Sequence, residues 1–300
     1  MQQGQSRRSH SSAVVPLITA WMARAPGGHA RIRNGEVLQG EGVAMIRHFY
    51  KKLGKALGLT VTTKECLQEL SKTLYEDVLE QLLAAKGQLG IVQIGANNGR
   101  WGDPIFDFVM RNRNRTNILL VEPQEDVVAH LRENYRDHPN AVVFNCAVGS
   151  GGPLKLFRVK PAFRNPINER KKLSDVPQDI LFTDVTSFSR DHVVAHTRKF
   201  GVPENAIEEI TVPSIRLNDL LASPDWGGRR IDVLQVDTEG MDDLVIYDSQ
   251  IRELRPTLVN FEGNLWNPER RGKLDSFLLD CGYVVLNYNT KDSLALATRF

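Results

Sequence analysis

Ile91-Val92-Gln93-Ile94-Gly95-Ala96-Asn97-Asn98-Gly99 is a short apolar run that breaks into a turn of small residues and continues toward a helix. A buried strand leading into such a turn reads as the first strand and ligand-binding loop of a Rossmann-type sheet. Gly95 and Gly99 admit positive φ and close approach, and Ala96 fills little space between them. Asn97 and Asn98 tolerate left-handed geometry and offer side-chain donors and acceptors. On this reading, a bulky residue at position 95 abolishes ligand binding and leaves the sheet folded. A glycine turn alone often only joins a strand to a helix, so its neighbours decide.

Ile118-Leu119-Leu120-Val121-Glu122-Pro123 is a second buried strand, ending in an acid 27 positions after Gly95. A carboxylate at the tip of the second parallel strand can accept both ribose hydroxyls of an adenosine ligand; otherwise it is a surface acid closing a strand. The dinucleotide fingerprint G-x-G-x-x-G is not met, because Asn97 stands where the second glycine belongs and close approach of a pyrophosphate is not provided. S-adenosylmethionine has no phosphate and needs only a tight turn beside its amino-acid tail. The spacing favours that methyl donor over NAD.

A third segment, Ile231-Asp232-Val233-Leu234-Gln235-Val236-Asp237-Thr238-Glu239-Gly240-Met241-Asp242-Asp243, is a strand ending in carboxylates and a glycine. Ligands of open α/β sheets sit beyond the carboxyl ends of the strands, at the switch point, so Asp237 and Glu239 are expected to face the ligand loop.

With these segments in place the chain resembles the FkbM-type family of S-adenosylmethionine-dependent methyltransferases. The resemblance rests on Gln93 to Gly99 against D-I-G-A-N-x-G, on Glu122-Pro123, and on Gln235 to Asp242 against K-I-D-V-E-G-A-E. Thr186 to Val193 looks like the family's S-F-D-R-x-H segment, and Val212 to Leu220 like V-x-T-I-x-L-D-D-L. It covers about residues 89 to 300. It implies an O-methyltransferase acting on a hydroxyl of a sugar, glycan or natural product. Three residues depart from the pattern: Gln93 replaces an acid that in related enzymes helps hold the ligand's ammonium, Gln235 a lysine, and Asp242 a glutamate. A neutral amide still accepts a hydrogen bond, without charge assistance.

The implied fold is the class I methyltransferase sheet, an α/β Rossmann-like sheet of seven strands with an antiparallel last hairpin, preceded by an N-terminal helical extension. Strands are expected near 90–95, 117–122, 141–147, 232–237, 257–262, 282–287 and 293–298, with helices near 103–112, 124–136, 242–254 and 268–281. The turn Asn289-Thr290-Lys291-Asp292 suits the final hairpin, which a dinucleotide domain usually lacks. The pair Pro153 to Val159 and Glu208 to Leu217 brackets an insertion, 160–206, rich in Pro, Arg, Lys and Asp, where the acceptor is expected to be held.

Residues 1–44 hold five arginines, no lysine and only Glu36 and Glu41 as acids. Such a composition can mark a transit peptide, and the apolar run Ala13 to Ala23 imitates a signal segment but contains Pro16 and is too short to span a bilayer. The plainer expectation is that Met45 begins the functional protein and the upstream segment is a disordered extension or a misassigned start. Residues 45–88 read as helices. One carries Ile46, Phe49, Tyr50, Leu53 and Leu57, and the next Leu67, Leu70, Leu74, Val78 and Leu82. They suit packing on the sheet edge, covering the ligand, or contact between copies in a homo-oligomer.

The 300 residues are 41% hydrophobic and 25% charged with a net charge of +2, which fits one core of about 200 residues plus additions and gives no electrostatic footprint for nucleic acid. Cys66, Cys146 and Cys281 are odd in number and widely spaced, which argues against a disulfide framework or zinc site and for a reducing cytoplasm.

The candidate donor-binding residues are Gln93, Gly95, Ala96, Asn97, Asn98, Gly99, Glu122, Pro123, Asn145, Ala147 and Asp237. Asn145 either reads the adenine edge or caps a turn. Asp237, Glu239 and His192 are the candidate bases for in-line displacement at a sulfonium methyl, each with a plainer role in capping or on a solvated helix face. His192 and His196, four apart, have the spacing of metal ligands with Asp237 or Glu262, but no metal is assigned. Glu262, at the fifth strand's tip, is placed near the acceptor, and Trp266 nearby either packs, the favoured role, or stacks on a sugar. Two rivals stand beside this reading: a module that binds S-adenosylmethionine without turnover, and an NAD oxidoreductase.

Overall fold

The computed structural model describes residues 64–164, 182–263, 267–288 and 291–298, with residues 64–73 by backbone only. The extension 1–44, the helix expected over 46–57 and Trp266 lie outside them. The chain divides into two compact units, residues 1–85 and 86–300.

In the first unit the described residues form helix α1 (Lys64–Lys86). Its buried residues are Tyr75, Val78, Leu79 and Leu83, while Leu74 and Leu82 are half-buried. The expected stripe through Leu74, Val78 and Leu82 is thus one flank of a broader apolar band. The band is centred one residue on, along the i, i+4 row Tyr75, Leu79 and Leu83.

The second unit is built on a seven-stranded sheet: β1 (Leu89–Ile94), β2 (Thr116–Val121), β3 (Ala141–Phe144), β7 (Val233–Val236), β8 (Leu258–Glu262), β9 (Tyr283–Asn287) and β10 (Asp292–Ala297). Its order is β3-β2-β1-β7-β8-β10-β9. All pairs are parallel except those of β10, which runs antiparallel between β8 and β9. This is the class I methyltransferase arrangement.

β1 and β7 are buried along their whole length, as parallel strands covered on both faces must be. The chain runs outward from β1 through β2 to β3, then returns to pair β7 on the other side of β1. The connections reverse there, so a cleft opens beyond the carboxyl ends of β1 and β7.

Helices α2 (Phe106–Arg111), α3 (Glu125–Asn134), α6 (Asp242–Asp248), α7 (Ile251–Leu254) and α8 (Pro268–Asp280) alternate with these strands. α2 starts three residues later than expected, because Asp103 Oδ1 accepts from the N–H groups of Ile105 and Phe106 and ends the preceding loop. The single helix expected over 242–254 is broken at Gln250, which adopts φ 51° and separates α6 from α7. α8 has Asn267 as its cap and Pro268 at its first position, both favoured there.

The segment expected as one strand over 141–147 splits. β3 stays in the main sheet, whereas β4 (Ala147–Val148) joins β5 (Gly152–Val159) and β6 (Ile207–Ile215) in a second, three-stranded sheet. β5 and β6 pair antiparallel from Gly152–Ser214 to Val159–Ile207. Leu217, expected in that strand, opens helix α5 (Leu217–Leu221) instead. The intervening segment is more than a loop. It contains helix α4 (Arg190–Arg198), capped by Ser189, and buries Val185, Val193, Val194 and Val202 against Val159 and Ile207.

The main core joins sheet and helices around Val92, Leu234, Phe261, Leu278 and the fully buried Trp226, whose Nε1 donates to the Arg229 carbonyl at 2.7 Å. Trp226→Phe removes that donor and opens a void. It is expected to cost about 1–3 kcal/mol in urea unfolding, with the denaturant slope unchanged.

Candidate functional site

Beyond β1 the backbone turns through Gly95 (φ 78°), Asn97 (φ 48°) and Gly99 (φ 70°). The glycines are needed where the chain packs against itself. A Cβ at Gly95 would stand 1.8 Å from the Asp237 carbonyl oxygen, so this glycine lets the tips of β1 and β7 meet. A Cβ at Gly99 would strike Leu131 and Tyr135 of the adjoining helical segment at 2.4 and 2.7 Å. Asn98 is likewise spent on the turn, its Oδ1 accepting from the N–H groups of Arg100 and Trp101 at 2.9 Å. Asn97 does reach outward: its Oδ1 accepts from Asn98 N–H and from Thr183 Oγ1.

Glu122, at the tip of β2, is buried. Oε2 accepts from Asn97 N–H at 2.8 Å and Oε1 from Gln124 N–H at 2.9 Å. Burial pushes its carboxyl up to about 7. Gln124 extends the network: Nε2 donates to the Thr183 carbonyl, and Oε1 accepts from Thr186 Oγ1. The β2 tip is thereby fastened to the insertion. Asn145 does not line the cleft; its Nδ2 donates to the Glu122 and Pro123 carbonyls, so it secures the turn and does not present itself to a ligand base.

The β7 tip carries the other wall. Asp242 is wholly buried and accepts from Thr238 N–H and Oγ1 and from Glu262 N–H at 2.9, 2.6 and 2.8 Å. It pins the turn after β7 to β8. Glu239, at φ 50°, has its carbonyl bonded by Ser187 Oγ, and its Oε2 lies 3.2 Å from His192 Nε2. Hydrogen bonding to Glu239 raises the His192 pKa, while burial lowers that of His196. Asp237, Glu239 and Glu262 each bring one carboxylate oxygen within 4.8 Å of the others. Asp237 lines the cleft and remains open to solvent there. Crowding by the cleft walls, then the charges of Asp242, Glu239 and Glu262, raise its carboxyl above the ordinary range.

These groups enclose a cavity of about 330 Å³, of the size that holds a small ligand. It brings together Gln93, Gly95, Ala96, Asn97, Glu122, Pro123, Ala147, Asp237 and Glu239 from the sequence reading. Asn98, Gly99 and Asn145 are not among its lining residues, and His192 reaches it only through Glu239. The sequence reading missed Gln124, Thr183 and Thr186, which no local pattern marks, and Asp103. The signal for Asp103 was an acid just before Pro104 at a helix entrance.

Compared with families of known proteins, the chain matches the Methyltransferase FkbM domain over residues 93–285. The chain belongs to this family. S-adenosylmethionine is therefore its methyl donor, and the NAD alternative falls. No curated protein matches the chain. Among solved structures, a putative caffeoyl-CoA O-methyltransferase from Staphylococcus aureus is similar at 10% identity, over 86% of this chain and 97% of that one, with a TM-score of 0.36. The SAH-bound methyltransferase of Podospora anserina is similar at 9% identity, over 88% and 99%, with a TM-score of 0.35. Aeropyrum pernix fibrillarin in complex with natively bound S-adenosyl-L-methionine is similar at 12% identity, over 69% and 66%, with a TM-score of 0.33.

The methyltransferase's own residues suit the donor. The cavity has a carboxylate at the β2 tip for a ribose, apolar Val121, Ala147 and Leu156 for a base, and a buried acceptor, Gln93 Oε1, without a hydrogen-bond partner. No helix among the described residues is long and apolar enough to cross a membrane.

Proposed function

We propose that the chain transfers the methyl group to a hydroxyl of a sugar, glycan or natural-product acceptor. The observation that carries this reading is the group Asp237, Glu239 and His192 at the β7 tip, beside the donor loop. Bound in the cavity, S-adenosylmethionine supplies a methyl already activated by its positive sulfur. The chain has to hold the acceptor oxygen in line and take its proton. Orientation of this kind is worth about 7–11 kcal/mol.

Asp237 is the base in this reading. A carboxylate with a raised pKa is a stronger base near neutral pH and still faces the cavity. Glu239 keeps that pKa high through its charge, and His192 holds Glu239 in place from behind. The insertion over 160–206 carries the acceptor, since Thr183 and Thr186 already line the cavity. The methyltransferase domain then spans 89–300. Buried free Cys146 and Cys281 suit a reducing cytoplasm.

Methyl transfer from labelled donor to a panel of sugars, glycans and phenolic natural products tests the acceptor class. Donor binding without transfer to any hydroxyl acceptor would favour a binding module. With an acceptor in hand, the pH dependence tests the base. The base works deprotonated, so the rate rises with pH through its pKa. Glu239→Gln removes a negative charge that raises both Asp237 and His192, so the ascending limb is expected to move to lower pH. A limb that stays in place or moves upward would exclude both groups as the titrating base.

A further inference from the structure

At the carboxyl end of β1 the cavity holds a pair that no proton transfer uses. Gln93 is 3% exposed and lines the cavity. Its Nε2 donates to Asp103 Oδ2 at 2.6 Å. A carboxylate only accepts, so this bond fixes the orientation of the amide and leaves Oε1 as the other end. Oε1 is buried and has no hydrogen-bond partner. Asp103 cannot drift from its place, because its Oδ1 caps the entrance to α2 by accepting from Ile105 and Phe106 N–H at 2.8 and 2.9 Å.

Two acceptors, one of them charged, therefore stand together in the cavity lining beside the donor loop. A buried acceptor left open calls for a donor, and a carboxylate beside it calls for a cationic one. The methyl donor has one such group in its amino-acid tail, an ammonium with three N–H donors. Of the other acids near the loop, Glu122 accepts from Asn97 and Gln124 at the ribose end, Glu239 is held by His192, and Asp237 is the base of the proposed reaction. Burial pushes the Asp103 carboxyl up, and a cation brought against it relieves that penalty.

We propose that Asp103, oriented by Gln93, holds the ammonium group of the donor's amino-acid tail, with Gln93 Oε1 as the second acceptor. This rests on the methyl-donor reading of the cavity. It also accounts for the discordant residue of the loop: the charge absent from position 93 is supplied ten residues on.

The test is calorimetry on the full chain with two ligands. S-adenosylhomocysteine carries the amino-acid tail; 5′-methylthioadenosine shares its nucleoside and sulfur but lacks the tail. Asp103→Asn retains Oδ1 for the helix cap and removes the charge, and its Nδ2 obliges the Gln93 amide to turn and give up its open acceptor. It is expected to weaken S-adenosylhomocysteine roughly 10–100-fold, the range of a hydrogen bond to a charged group, and to leave 5′-methylthioadenosine unchanged. The reversed pair Gln93→Glu with Asp103→Asn keeps the hydrogen bond with donor and acceptor exchanged, and is expected to recover most of the loss. Gln93→Met, which spares the cap, should show the same selective loss if Asp103→Asn does not fold. Equal weakening of both ligands would make the pair a mere scaffold of the loop, and no weakening would place the ammonium elsewhere; either result overturns the assignment. Wild-type protein that binds neither ligand would overturn the donor site itself, and this assignment with it.

Discussion

Gly95→Ala is expected to unfold the sheet tip and not merely to empty the cavity. The added Cβ would lie 1.8 Å from the Asp237 carbonyl oxygen and 2.8 Å from its carbon, both backbone atoms of the neighbouring strand end. A side chain can rotate out of a clash; a carbonyl bonded into a sheet cannot. The same turn holds Gly95 at φ 78°, where a Cβ adds roughly 1–2 kcal/mol of its own. Together these place the substitution at about 4 kcal/mol or more in urea unfolding, among the largest single-residue effects. Asp237 N–H also donates to the Ile94 carbonyl, so separating the two tips breaks the pairing that sets the site. A Gly95→Ala protein of native stability that had only lost donor binding would restore the ligand-contact role read from the sequence.

That contrast shows what sequence reading reaches. Apolar runs of parallel strands are continuous because both faces are covered, and β1, β2, β7 and β8 were therefore legible one by one. Glu122, Asp237 and Glu239 were legible because strand ends in an open sheet converge on one cleft. What a small residue does there was not legible. Gly95 and Gly99 serve chain crossings with residues more than 30 positions away, and no local pattern encodes those. Asn98 was credited with a ligand contact, and Asn145 was left between the adenine edge and the turn it in fact secures, because a polar side chain looks the same in sequence whether it faces a ligand or its own backbone. How the insertion folds was not legible for a related reason. Its charged composition hid a stripe of Val185, Val193, Val194 and Val202 that only pairing of β5 with β6 brings to one face. Gln124, Thr183 and Thr186 follow from that pairing too: the insertion must fold before the bonds that tie it to the β2 tip exist.

Asp237→Asn is expected to lower kcat by 10²–10⁴-fold, the range for losing a positioned base, while leaving S-adenosylhomocysteine binding within about two-fold of wild type. The substitution is isosteric and its backbone N–H still reaches Ile94, so the sheet tip survives. Only the proton acceptor is lost. The prediction separates two jobs that one carboxylate at the β7 tip is able to do. An Asp237 that held the donor's ammonium would lose S-adenosylhomocysteine affinity roughly 10–100-fold on becoming Asn, as a charge-assisted bond requires, and Asp103→Asn would then be nearly silent. Desolvation raises both carboxyls, so their hydrogen bonds and not their pKa values divide the roles. Asp103 is fixed by Gln93 and the α2 N–H groups beside an open acceptor, whereas Asp237 stands among Asp242, Glu239 and Glu262, whose charges make it a stronger proton acceptor once it ionises. Its rate limb should therefore rise with pH above the ordinary carboxylate range. Two acids of one cavity then take separate tasks, the donor's ammonium with Asp103 and the departing proton with Asp237.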